Sequence, residues 1–231
     1  MRLLDRSLLL TIALAASWTA FGAGGGPAMP SGSPSMQTRE PPSPEEQARA
    51  AYNMGVRAVG KGDELMADAA RQTDARRQDK THAKALATYS SAVKKFARAT
   101  ELRPGMHEAW NYLGYCQRKL GRYDAALTAY DRALALKPDY AEAIEYRGHA
   151  YLGLDRLTEA KEAYLTLFAS NRKLAASLLT AMQEWVGDHR GNHATLDAGT
   201  IGAFDSWLSE RSVIARQTAA LTREGTSSAW Q

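Results

Sequence analysis

His189 and His193 lie four residues apart, with Asp188 and Asp197 beside them, and come nearest in this chain to a set that could hold a metal ion. On one helix that spacing would bring both imidazoles to the same face, as zinc hydrolases require. Gly191 falls between them and breaks such a helix, and no HExxH accompanies them, so the stretch reads as a loop without a metal. Cys116 is the single cysteine, which excludes an intrachain disulfide and any CxxC redox or zinc pair. Its place inside an amphipathic stretch makes it a small buried hydrophobe. No GxSxG elbow, phosphate-binding loop or dinucleotide fingerprint occurs, and Gly24-Gly25-Gly26 precedes no helix-forming residues. The chain therefore reads as non-catalytic, with no cofactor.

The elements that would position any site are helices. Hydrophobic residues make up 45% of the 231 and charged residues 23%, enough for one domain with a real core. Alanine is abundant and runs of Val, Ile and Thr are scarce, which favours helix over sheet. A net charge of +4 is small and dispersed, so nucleic acid is not an expected partner.

Residues 107–140 carry the clearest pattern. Two amphipathic helices, His107–Leu120 and Tyr123–Leu136, are hinged at Gly121 and closed by Pro138. Trp110, Leu113, Leu120, Tyr123, Tyr130 and Leu134 recur at spacings of three and four and line one face. Gly114, Ala126 and Ala133 fall where the two helices must cross closely. Trp110, Leu113, Gly114, Ala126, Tyr130 and Pro138 follow the tetratricopeptide (TPR) pattern, with Gln117 where that pattern has Tyr. The stretch resembles a TPR repeat, and the resemblance implies an all-α helical solenoid, an α-α superhelix of stacked helix pairs.

Shifting the landmarks by one repeat gives 141–174, with Gly148, Tyr151, Ala160 and Tyr164 in register and Ile144, Arg147 and Arg172 as departures. Asp139 is placed to cap its first helix. The preceding repeat is interrupted. Ala92, Phe96, Ala99 and Pro104 match a second helix, but the matching first helix, with Gly55, lies upstream, so the first repeat spans 46–106 with an insertion. No Gly or Pro occurs from Asp63 to Arg103, and Gln72–Thr81 has only Ala75 as an apolar residue, which predicts a helical arm projecting into solvent. Nine Lys or Arg in Arg71–Arg103 make a basic surface, a solvated face or a contact for acidic lipid headgroups or an acidic protein.

The remaining segments frame this 45–174 domain. Arg2 and Arg6 followed by the apolar run Ser7–Phe21 read as a signal peptide over 1–22, cleaved near Gly22–Ala23, or as an uncleaved inner-membrane anchor. Residues 23–44, rich in Gly, Pro and Ser, form a linker. Helices over 175–221, including Lys173–Val186 and Thr200–Leu221, cap the open end of the stack, and 222–231 is a loose tail.

By the TPR resemblance, ligand contacts come from the concave groove lined by first helices. The implied positions are Glu108, Asn111, Tyr112 and Tyr115, then Glu142, Glu145, Tyr146 and His149. The positions at which chaperone-binding TPR domains clamp a carboxylate hold Tyr52, Val56, Tyr112, Glu142 and Tyr146, so that clamp is missing. Three glutamates beside amphipathic aromatics predict an extended peptide with apolar or aromatic side chains and some Lys or Arg. The expected function is a protein-binding scaffold in the bacterial periplasm or envelope. Its partner is a protein or peptide. The competing reading is a self-associating structural subunit, a homo-oligomer formed through the convex face or the last helix.

Overall fold

The computed structural model describes residues 41–190 and 196–228, so the expected signal peptide and most of the linker lie outside the described residues. Among the described residues eight helices follow one another with no strand: α1 Pro44–Arg71, α2 Ala75–Leu102, α3 His107–Lys119, α4 Tyr123–Leu136, α5 Ala141–Leu152, α6 Leu157–Ser170, α7 Arg172–His189 and α8 Ala198–Ser228. Consecutive helices pack as antiparallel pairs, and the odd-numbered helices also touch one another in succession. This is the expected all-α solenoid, with odd-numbered helices forming one layer and their even-numbered partners the other.

α1 begins earlier than the apolar periodicity predicts because its first turn is fully capped. The Ser43 hydroxyl accepts from the Glu46 amide at 3.2 Å and the Glu46 carboxylate accepts from the Ser43 amide at 2.8 Å, with Pro44 in the first helical turn. The insertion is not an appended helix. It is shared between α1 and α2, each 28 residues long, which turn over at Gln72–Asp74. The turn contains neither Gly nor Pro; Asp74 makes it by accepting from the Arg77 amide at 2.8 Å and starting α2.

Glycine marks how the first pair is held. A Cβ on Gly55 would lie 2.6 Å from the Phe96 ring, and one on Gly62 would lie 2.7 Å from the Tyr89 ring. Gly62 is seven residues nearer the turn on α1 and Tyr89 seven residues nearer it on α2, so one glycine–aromatic contact is repeated along the same interface. The arm therefore has an apolar base, in which Gly62, Leu65, Ala69, Ala85 and Tyr89 are buried, and only its tip projects as expected. From Thr73 to Lys80 every side chain is exposed. Gly114 receives Tyr130 in the second pair as the pattern requires. Gly148 instead receives Leu178 of α7, so the third close approach is made between pairs.

At the far end Asn171 both ends α6 and caps α7, accepting from the Leu174 amide at 3.2 Å. With Arg172 in place of proline, α7 starts at once. Asp139 does not cap α5: Tyr140 holds that position and makes no side-chain capping bond to the helix. α7 buries Leu178, Met182, Trp185 and Val186 in a cluster with Ile201, Phe204 and Leu208 of α8. α8 continues past the expected Leu221 to Ser228. Among the described residues no helix is long and apolar enough to cross a membrane.

Candidate functional site: the face of the odd-numbered helices

α3 and α5 present the sequence-derived positions on adjoining faces, but not all of them are available to a ligand. Glu142 is exposed, and Glu108, Tyr112, Tyr115, Tyr146 and His149 are half-buried. Asn111 and Glu145 are buried, at 2% and 6% exposure, and so cannot act as open groove contacts. The Asn111 amide reaches the Tyr140 hydroxyl at a long 3.5 Å, and its own oxygen has no partner. Glu145 lies 3.8 Å from His149. Burial alone would raise its pKa, yet hydrogen bonds from His149 and Ser177 of α7 outweigh that and hold its carboxyl below the usual range. The next helix pair covers both residues, which a pattern read along one helix does not reveal.

The aromatic residues form a continuous run across α1, α2, α3 and α5. Tyr112 stacks on Phe96 with ring centres 5.3 Å apart and planes at 9°, and Tyr52 meets both rings edge-on. Tyr115 lies 5.2 Å from Tyr146 and 6.3 Å from Tyr89. These tyrosines thus both pack the helices and show part of their rings on the odd-helix face.

Asp63, on the arm, is the polar centre of this run and was not legible from α1 alone. Its Oδ1 accepts the Tyr89 hydroxyl at 2.5 Å and the Tyr115 hydroxyl at 2.6 Å, bonds short enough to be charge-assisted. Burial, followed by bonding to Asp63, pushes both phenols far above their ordinary pKa. One carboxylate therefore ties α1, α2 and α3 together. Arg118 and Lys119, one turn beyond Tyr115 on α3, also belong to this face. Spacings of three and four from Tyr115 were the signal that could have found them.

The metal-like residues have structural uses. His189 Nδ1 is 2.7 Å from the Trp185 carbonyl oxygen, and its ring stacks on Trp185. Asp197 accepts from the amide and hydroxyl of Thr200, at 2.9 and 2.7 Å, at the start of α8. His193 lies outside the described residues.

Comparison with known proteins bears on this architecture. Residues 107–140 match the family model described as tetratricopeptide repeat. No curated protein matches the chain. Among solved structures, the first TPR domain of human RPAP3 is 18% identical, with a TM-score of 0.42, over 61% of this chain and 98% of that one. The first TPR of Spaghetti (RPAP3), solved with the HSP90 peptide SRMEEVD, is 18% identical, with a TM-score of 0.40, over 57% and 95%. A double mutant of MamA RS-1 is 22% identical, with a TM-score of 0.37, over 75% and 97%. By sequence, then, residues 107–140 match a tetratricopeptide repeat, and they sit within an all-α solenoid of helix pairs.

Proposed function

We propose that this chain is a non-catalytic adaptor that holds a peptide or a partner helix in a groove formed by α1, α3, α5 and α7, and that it works in the bacterial periplasm or envelope. The observation that carries the reading is the run of half-buried Tyr112, Tyr115 and Tyr146 on consecutive odd-numbered helices, with His149 and Glu142 beside it. Tyrosine gives a rigid amphipathic surface at little entropic cost, which suits capture of extended segments. The first TPR of Spaghetti (RPAP3), solved with an HSP90 peptide, is an instance of peptide capture by such a repeat. Export rests on the basic, apolar and small order of the first 22 residues. The basic tip of the arm is a further contact for an acidic lipid surface.

Panning a display library of linear peptides against the folded chain tests the groove. Selected peptides are expected to compete with one another and to lose binding to the Tyr112→Ala/Tyr146→Ala double variant. Because Tyr112 stacks on Phe96, the double variant will also lose about 1–3 kcal/mol of stability. Binding is therefore compared well below its melting point, with His149→Ala as a milder second variant. Failure to select any linear peptide, or full binding by both variants, contradicts the proposal.

A further inference from the structure

Arg118 and Lys119 are consecutive cations at the C-terminal end of α3 and share the face of Tyr115. The Arg118 guanidinium carbon is 5.3 Å from the centre of the Tyr115 ring and 5.6 Å from that of Tyr146, and with those rings 5.2 Å apart it lies beside both, touching α3 and α5 together. Lys119 Nζ is 5.5 Å from the Tyr115 ring. Both residues are half-buried, and Arg118 Nε is buried without an acceptor.

The acids around them are committed elsewhere. Asp63 of α1 acts on Lys119 through space, but its Oδ1 is taken by two tyrosine hydroxyls. Glu145 of α5 feels Arg118 through space, but its carboxylate is turned to His149 and Ser177 and makes no ion pair with Arg118. α4 contributes the uncharged Tyr130, whose buried hydroxyl faces Arg118 and can take a donor from it but supplies no counter-charge. Among the described residues no carboxylate pairs with either cation, whereas Arg147 pairs with Asp131 at 3.0 Å and Arg190 with Asp205 at 2.6 Å. Two adjacent cations drawn partly out of water without a counter-charge carry a desolvation cost. Burial and then the neighbouring Arg118 accordingly push the Lys119 ammonium down. An incoming anion offsets that cost, and the planar guanidinium resting against the two rings offers a donor edge to it.

We propose that Arg118 and Lys119, framed by Tyr115 and Tyr146, form a subsite that takes the carboxylate of an Asp or Glu side chain in a bound peptide. The inference rests on the groove proposed above and names the chemistry of its ligand. It reverses the preference for cationic peptides expected from sequence. That expectation counted Glu145 as open charge, and it is buried and paired. Nor is the subsite the carboxylate clamp, because the clamp positions here hold no cation.

Fluorescence polarisation with three short labelled peptides tests it. All are acetylated and amidated, so that only side chains carry charge. One contains Phe and Glu; in the others Gln or Lys replaces Glu. The Glu peptide is expected to bind about tenfold more tightly than the Gln peptide, the scale of one charge-assisted hydrogen bond. The Lys peptide should bind most weakly, and the preference should shrink with added salt. Arg118→Gln/Lys119→Gln should abolish the preference, Lys119→Gln alone should reduce it, and Arg118→Lys should keep part of it. Equal binding of the Glu and Gln peptides, tighter binding of the Lys peptide, or an unchanged preference in the double variant overturns the subsite. If the Gln and Lys peptides bind and are lost on Tyr112→Ala/Tyr146→Ala, the groove stands without the subsite. If no peptide binds, both readings fall.

Discussion

Replacing Asp63 by Ala is expected to lower stability by about 3 kcal/mol, because two hydrogen bonds to one charged acceptor are lost together. For a domain of this size that loss corresponds to a fall in melting temperature on the order of 10 °C. It should concentrate in the arm, since a repeat stack can open pair by pair. Hydrogen exchange would then show the amides of α1 and α2 nearest the turn losing protection before those of α5 and α6. Asp63→Asn keeps an acceptor and should cost less. Asp68→Ala, on the same helix, removes a 3.7 Å exposed ion pair with Arg71 and a long 3.5 Å hydrogen bond from Gln72, and should change stability by less than about 0.5 kcal/mol. Equal effects of Asp63→Ala and Asp68→Ala would show that the node does not hold the arm.

The second large effect is alkaline unfolding. Tyr89, Tyr130 and Tyr164 are fully buried, and burial raises the pKa of each above 10. Tyr140 is pushed up to about 12, again chiefly by burial. The unfolded chain releases these protons near pH 10 while the folded chain keeps them, so raising the pH draws the equilibrium toward the unfolded state. Their contribution is complete below pH 10 and is lost as pH rises above it toward the folded-state values. Tyr89 and Tyr130 each withdraw about 1.4 kcal/mol by pH 11, so the two together withdraw about 3 kcal/mol, and Tyr164 adds to this in the same direction. Tyrosinate absorbance should therefore rise in a steep step that coincides with loss of helical circular dichroism. A smooth titration near pH 10 with the helices intact would contradict this packing.

What the sequence made legible follows from the range of the interactions. The Gly114–Tyr130 contact and the Ser43–Glu46 capping box are set by fixed local spacings, and the repeat pattern marked Gly114 as a close crossing though not Tyr130 as its partner. The arm was legible as helical from its lack of Gly and Pro. Its turn was not, because an aspartate cap replaced the usual breakers. The pairing of Gly62 with Tyr89 was available to anyone carrying the Gly55–Phe96 register one heptad outward. Asp63 was not, since its partners are 26 and 52 residues away. Asn111 and Glu145 were misjudged as open because the residues that cover them, Tyr140 and Ser177, come from later helices. Arg118 and Lys119 lay beyond the positions carried over from the TPR resemblance, although helical spacing puts them on the same face.

The account's central claim is that partners lie on the odd-helix face. Site-specific photo-crosslinking in the cells that make the protein tests it most directly. Benzoylphenylalanine is placed in turn at Glu142 and His149 on α5, and at the exposed Thr128 of α4 and Glu162 of α6. Discrete adducts from Glu142 and His149, with none from Thr128 and Glu162, are the predicted result. Adducts from Thr128 and Glu162 alone would place binding on the opposite layer and contradict the account.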